Sequence, residues 1–202
     1  MEAGLAVSRL AVFAYGSLVS PTSAAETLGR PVEPAAVARL NGHARRWTLT
    51  RDNLASEKTF ARPDGSLPRF CLGLNLEPDD DAPAPNGALI EFTERELERL
   101  DLREIRYRRA EVGDRVTLAT GAGEHGFDRV YAYFARPEHH RPVAPDDAVV
   151  IATYPRTIEA AFAELGPEQL ELYRATTAPP PVEVTEASLV ADAIPEGNPR
   201  DW

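Results

Sequence analysis

Two short stretches, far apart in the chain, carry residue types that could do chemistry. The first is Tyr15-Gly16-Ser17-Leu18, which directly follows an apolar, strand-like run. Glycine lets the backbone turn sharply after a strand, and successive N–H groups in such a loop form a concavity for a carboxylate or a developing oxyanion. The alternative is an ordinary turn with Tyr15 packed in the core.

The second stretch ends in a carboxylate that the helical spacing points toward the protein interior. Thr93 and Glu96 form a capping-box pattern, which predicts a helix over 93–104. Leu97 and Leu100 define its buried face, and Glu104 continues the same apolar stripe. Burial and the negative end of the helix dipole would both disfavour the anion and so raise the pKa of Glu104. A raised pKa is what a carboxylate needs to act as a general acid or base near neutral pH.

A simpler interpretation of Glu104 is an ion pair with one of its neighbours. Arg103, Arg106, Arg108 and Arg109 all lie close to it in sequence. Pairs of this kind are easily formed in an arginine-rich segment. From the helix alone, both interpretations stay open.

The elements that must position these residues are short strands and helices in irregular alternation. This pattern predicts an α+β domain built around a small mixed, curled β-sheet or barrel with flanking short helices. One domain is expected over 1–202, with a core at about 10–173 and an extended tail at 175–202. The predicted strands are 10–15, 36–50 (bent at Gly42), 70–76, 87–92, 107–120 and 128–135. The predicted helices are 21–29, 93–104 and 156–173 (interrupted at Gly166). A mobile loop is predicted at 51–68 and an acidic loop at 77–86.

Composition excludes several classes of protein. The chain has 202 residues, 43% of them hydrophobic, and a net charge of −10 without a basic stripe, which argues against nucleic acid as a partner. A single cysteine excludes an internal disulfide and indicates a reducing compartment. Neither a signal peptide nor an apolar run of about 18 residues is present, so no membrane partner and a cytoplasmic location are expected.

Other motifs lack the context that their chemistry needs. Residues 121–126 match G-x-G-x-x-G, but a strand-like run follows where dinucleotide binding needs a helix, so a hairpin turn is predicted. His139 and His140 are adjacent and do not share a face, which disfavours a metal site. Cys71 is predicted to be a small core residue rather than a nucleophile. Ser17 lacks the second glycine of a G-x-S-x-G elbow.

Two stretches of the chain together resemble the γ-glutamylcyclotransferase family. They are the YGSL loop and the later Leu100–Glu104 segment, which Tyr107 and Arg109 follow. That family includes the AIG2-like proteins and the glutathione-degrading ChaC branch. The resemblance covers about residues 10–173. It includes Leu40–Trp47, which is similar to the family's L-x-G-x-x-R stretch, and Tyr154 before the late helix.

The resemblance implies a small mixed barrel whose cleft is formed by the YGSL loop and the acidic residue. It also implies a reaction without metal or cofactor, in which the α-amine of a small γ-glutamyl substrate attacks its own γ-carbonyl and releases 5-oxoproline and a free amine. Glu104 would carry the proton from the substrate ammonium to the leaving nitrogen. The residues implied to bind the substrate are Tyr15, Gly16, Ser17, Leu18, Tyr107 and Tyr154.

Several alternatives remain open at this stage. The ChaC branch has a Gly-Gly-Tyr run after the acidic residue, whereas this chain has Ile105-Arg106-Tyr107, so glutathione is not specifically indicated. Arg51, Arg62 and Arg69 could meet an anionic leaving group. The rival function is a non-catalytic module that binds a small acidic ligand in the same cleft. The oligomeric state is open, and Trp202 is expected to cover an apolar patch on its own domain.

Overall fold

The computed structural model describes residues 8–121 and 123–193, so the expectation for Trp202 lies outside the described residues. Within these ranges, twelve strands form three sheets and are accompanied by four α-helices, which confirms the α+β prediction. The elements are β1 Leu10–Ala14, α1 Pro21–Leu28, β2 Ala36–Leu40, β3 His43–Asp52, β4 Lys58–Ala61, β5 Phe70–Pro78, β6 Asn86–Phe92, α2 Leu97–Arg103, β7 Tyr107–Glu111, β8 Val116–Leu118, β9 Arg129–Ala135, β10 Ala148–Ile151, α3 Thr153–Leu165, α4 Pro167–Ala175, β11 Val184–Thr185 and β12 Ser188–Asp192.

The largest sheet has six strands in the order β7-β9-β1-β6-β2-β8. Its central strand β1 has the sequence LAVFA and is buried at every position, as expected for a strand covered on both faces. β1 runs antiparallel to β6 and parallel to β9. A second sheet has the order β11-β10-β5-β3, and β12 pairs with β4 alone.

The pairing of β7, β9 and β1 brings two distant parts of the sequence together. Val12 of β1 lies opposite Tyr131 of β9, and the antiparallel β7 places Tyr107 opposite Ala135 of β9. The C-terminal end of β1 and the N-terminal end of β7 therefore lie at the same end of the sheet. The loop that follows β1 and the segment that precedes β7 are neighbours for this reason.

The helix before β7 begins as its capping box predicts. The Thr93 N–H donates to Glu96 Oε2 at 2.7 Å, and the first turn is a 3₁₀ turn that continues into α2. Leu100 is fully buried. Glu104 is the C-cap residue, with φ −93° and ψ 39°, so it lies just beyond the helix instead of in its last turn.

Two strands predicted as continuous are each divided in the structure. The predicted strand 36–50 is wrong because Gly42, with φ +70°, makes a turn between β2 and β3, which belong to different sheets. The predicted strand 107–120 is wrong because a 3₁₀ turn at Gly113–Arg115 separates β7 from β8. β7 and β8 consequently lie at opposite edges of the six-stranded sheet.

Three further expectations also need correction. Residues 51–68 contain β4, which pairs with β12 of the predicted extended tail, because local polarity does not reveal a partner distant in sequence. The hairpin predicted at 121–126 is wrong, since β8 pairs with β2 whereas β9 pairs with β1 and β7. The short apolar strand β10 was not predicted, and the helix after it begins at Thr153, three residues earlier than expected.

No helix among the described residues is long and apolar enough to cross a bilayer.

Gly87 allows β6 to pass closely beside the end of β1. A Cβ at this position would overlap the main-chain carbonyl oxygen of Ala14 and lie 2.7 Å from Phe13 Cζ. Because a backbone atom cannot move aside cheaply, Gly87→Ala is expected to lower the free energy of unfolding by about 3 kcal/mol. Urea denaturation would measure this. Gly113→Ala is the control, since the nearest atom to its Cβ would be 3.6 Å away; equal losses in both variants would contradict the prediction.

Candidate active site

A cavity of about 350 Å³ lies where the loop after β1 meets the segment before β7. The start of α3, strands β3, β4 and β5, and the tail strand β12 complete its wall. Every site residue nominated from the sequence lines this one cavity, although the roles of these residues stay predictions: Tyr15, Gly16, Ser17, Leu18, Glu104, Tyr107 and Tyr154.

The loop after β1 turns abruptly into a 3₁₀ turn at Ser17–Val19. The Val19 N–H closes this turn by donating to the Gly16 carbonyl at 3.0 Å. A Cβ on Gly16 would lie 3.2 Å from the Tyr154 hydroxyl, so the absence of a side chain lets α3 approach the loop. Gly16, Ser17 and Leu18 line the cavity at the point where β1 ends.

Glu104 lies on the cavity wall and is 8% exposed. Its Oε1 accepts a hydrogen bond from Arg103 Nε at 3.0 Å, and both side chains are buried. Glu104 therefore lines the cavity and is also paired with a neighbouring arginine. The pairing confirms the simpler interpretation, while a role as general acid or base stays a prediction. The planar guanidinium fixes the direction of the carboxylate.

The tyrosines of the wall are held by their hydroxyls. Tyr15 donates to the Tyr133 carbonyl at 2.7 Å, and Tyr107 donates to the Leu74 carbonyl at 2.7 Å. Burial raises the pKa of Tyr15 well above 10, and nearby Tyr154 and Glu104 raise it further. Burial also raises the pKa of Tyr133, with a contribution from its hydrogen bond to Asp101. Tyr15 and Tyr133 therefore stay neutral at physiological pH.

Behind this wall lies Arg45, which belongs to the L-x-G-x-x-R stretch. It is 1% exposed, donates to Thr177 Oγ1 at 3.1 Å and to Asn86, and packs over the rings of Phe162 and Tyr173. Burial lowers its pKa to about 10, so it is charged at neutral pH. Arg45 joins β3 to α4 and β6 and places a positive charge near the tyrosines that line the cavity.

Sequence reasoning missed the side of the wall that β4 and β12 form. Glu57, just before β4, accepts two hydrogen bonds from the Arg106 guanidinium, and the Glu57 and Arg106 side chains are 11% and 8% exposed. Phe60 of β4 and Leu189 of β12 pair across the two strands and line the cavity. No local signal marks these residues, since their position depends on pairing between segments far apart in the chain.

Of the three arginines considered for the leaving group, one lines the cavity. Arg51 is in the wall, where it donates to the Lys58 carbonyl at 2.6 Å. Arg62 pairs with Asp147 at 2.8 Å and Arg69 with Asp52 at 2.5 Å, and neither lines the cavity.

Cys71 and His140 each contact neighbouring side chains in the structure. Cys71 packs against Val149 and Ile151 at the cavity wall, and burial raises the pKa of its thiol, which makes it a poor nucleophile. His140 Nε2 lies 2.6 Å from Glu77 Oε1. Among the described residues, no group of three or more histidine, cysteine or acidic side chains could hold a metal ion.

Comparison with solved structures identifies the fold. A structure named gamma-glutamyl cyclotransferase is similar with a TM-score of 0.58 and 16% identity, over 88% of this chain and 94% of that one. An uncharacterized protein from Homo sapiens matches with the same values. YkqA from Bacillus subtilis matches with a TM-score of 0.53 and 21% identity, over 85% of this chain and 55% of that one. The chain thus has the γ-glutamylcyclotransferase-like fold.

Searches by sequence add no closer relative. No protein-family model matches the chain, and a search of curated proteins found no match.

Proposed function

We propose that this protein is a γ-glutamylcyclotransferase-type enzyme, which cleaves a γ-glutamyl amide into 5-oxoproline and a free amine or amino acid. One observation carries the proposal: Gly16–Leu18 and Glu104, far apart in sequence, line a single cavity. The volume of about 350 Å³ suits a small molecule. The fold shared with a structure named gamma-glutamyl cyclotransferase supports the same activity.

The reaction begins when the Glu104 carboxylate takes a proton from the substrate's α-ammonium group. The free amine then attacks the γ-carbonyl carbon, forming a C–N bond and a tetrahedral intermediate whose oxygen carries the negative charge. When the intermediate collapses, the original amide C–N bond breaks and the protonated Glu104 gives its proton to the leaving nitrogen. The regenerated carboxylate then takes the second proton from the ring nitrogen, which leaves the neutral lactam, and passes it to the released amine. One carboxylate serves all of these transfers, and no water is consumed.

The loop after β1 binds the anionic parts of the substrate in this proposal. The main-chain N–H groups of Gly16, Ser17 and Leu18 would donate to the glutamyl carboxylate or to the developing oxyanion. Such donors need no reorganisation during the reaction, which makes them effective in a site that excludes water. Tyr15, Tyr107 and Tyr154 would form the walls that fold the glutamyl chain into a ring-closing geometry.

Much of the rate enhancement would come from positioning. Nucleophile and electrophile belong to the same molecule, and favourable intramolecular alignment can contribute about 7–11 kcal/mol. The chemistry is complete with substrate, Glu104 and main-chain donors, so the proposal includes no cofactor. The leaving group would lie toward Arg51 and β12, and the single cysteine is consistent with a reducing cytoplasm as the working compartment.

The test is release of 5-oxoproline by the wild-type protein, followed by mass spectrometry. The panel should contain glutathione, γ-Glu-Ala, γ-Glu-ε-Lys and several γ-glutamyl amines. α-Glu-Ala is the matched control, because its alanine is attached through the α-carboxyl and cannot be expelled by attack on the γ-carbonyl. Release from γ-linked compounds only is the expected result, and the ranking identifies the leaving group. Binding of γ-linked compounds without release would instead establish a non-catalytic binding module.

A further inference from the structure

Arg103, the last residue of α2, connects the two halves of the candidate site. We propose that Arg103 is a positioning residue that holds the Glu104 carboxylate and the Gly16–Leu18 loop at a fixed separation, an inference that rests on the proposed function. Its side chain is 3% exposed, and its guanidinium group contacts both.

On the side that faces the site, the guanidinium donates one hydrogen bond to Glu104 and one to the loop after β1. Arg103 Nε donates to Glu104 Oε1 at 3.0 Å, and an Nη2 hydrogen is donated to Ser17 Oγ at 3.0 Å. Because the guanidinium is planar and rigid, the two contacts set the spacing between the carboxylate and the loop. A lysine in the same place would supply the charge without this geometry.

On the opposite side, the same group is anchored to α1. Nη1 donates to the Ser23 carbonyl at 3.1 Å and to Thr27 Oγ1, and Nη2 donates to Ser23 Oγ at 2.7 Å. Joining α2 to α1 does not by itself require Arg103, because Arg99 Nε already donates to the Thr27 carbonyl at 2.7 Å. The branch toward Ser17 and Glu104 is what distinguishes Arg103 from Arg99.

Arg103 also supplies a positive charge beside the carboxylate. Its Nε lies 3.0 Å from Glu104 Oε1, and both side chains are buried. Removing the guanidinium would take this hydrogen bond and this charge away from a buried carboxylate.

The kinetic test compares Arg103→Met and Arg103→Lys with Arg99→Met. Arg103→Met is expected to lower kcat/KM for 5-oxoproline release about a hundredfold. Arg103→Lys is expected to recover part of this loss but to keep about a tenfold loss, since the fork is absent. Arg99→Met removes a guanidinium that joins α2 to α1 through Thr27 and is expected to stay within about twofold of wild type. Equal losses in Arg103→Met and Arg99→Met would overturn the proposal.

Hydrogen exchange of the loop amides at 16–20 provides a test that does not depend on activity. Exchange is expected to be at least about tenfold faster in Arg103→Met and in Ser17→Ala, which removes one contact of the guanidinium, and unchanged in Arg99→Met. Unchanged exchange in Ser17→Ala and Arg103→Lys would overturn the proposal even if Arg103→Met did not fold. If the wild type releases no 5-oxoproline, the proposed function fails, while exchange still decides whether Arg103 holds the loop.

Discussion

Replacing Glu104 with glutamine is expected to lower kcat/KM for 5-oxoproline release by about a thousandfold. An amide has nearly the shape of the carboxylate but cannot accept the ammonium proton, and positioned general acid–base catalysis typically contributes about 10²–10⁴-fold. The substitution keeps an oxygen that can accept the hydrogen bond from Arg103 Nε. The substrate's Kd, measured by titration calorimetry, should therefore change much less than the rate.

A matched control separates this effect from a general loss of charge on the helix. Glu98 lies on the exposed side of α2, so Glu98→Gln makes the same chemical change outside the cavity and should leave kcat/KM within about twofold of wild type. Thermal unfolding must be followed in both variants, because Glu104→Gln leaves the buried Arg103 without its charge partner. Equal release by wild type and folded Glu104→Gln would mean that another carboxylate carries the proton, with Glu57 the next to test.

The features predicted correctly from the sequence depend on local physics. A capping box acts within four residues, so the start of the helix before Glu104 is legible from Thr93 and Glu96 alone. The glycine that follows an apolar strand likewise marks the end of β1. What local patterns could not show is that these two places meet; that expectation came from a family resemblance.

The order of the strands explains why the loop after β1 lies beside Glu104. β7 follows Glu104 and pairs with β9, which in turn lies parallel to β1. Parallel neighbours in a sheet are joined by long connections, and nothing in the alternation of either strand encodes its partner. The same limit explains why β4 and β12 were interpreted as loop and tail, since their pairing joins residues more than a hundred positions apart.

Arginine-rich segments present a different difficulty. Four arginines lie near Glu104, and sequence spacing cannot rank them as partners. In the structure three of them have different partners: Arg103 pairs with Glu104, Arg106 with Glu57 and Arg109 with Asp101. Each partner depends on tertiary placement, so a positioning role for Arg103 could not have been assigned before the structure.

Replacing Gly16 with alanine is expected to lower kcat/KM about a hundredfold by displacing the loop that binds the substrate. The new Cβ would lie 3.2 Å from the Tyr154 hydroxyl, so the tyrosine or the loop must move by a few tenths of an ångström. The Tyr154 ring packs edge-on against Trp47, with centroids 6.0 Å apart, which limits its freedom. Small displacements of positioning groups can cost about 10²-fold in rate.

A double-mutant cycle tests whether that contact is the cause. Phenylalanine at 154 lacks the hydroxyl oxygen, so the Gly16→Ala/Tyr154→Phe protein should regain about tenfold in kcat/KM over Gly16→Ala alone. Gly113→Ala, at a site outside the cavity lining with room for a methyl group, controls for the general effect of alanine on chain entropy. If the losses of Gly16→Ala and Tyr154→Phe simply multiply in the double variant, the close approach of Tyr154 does not determine the position of the loop.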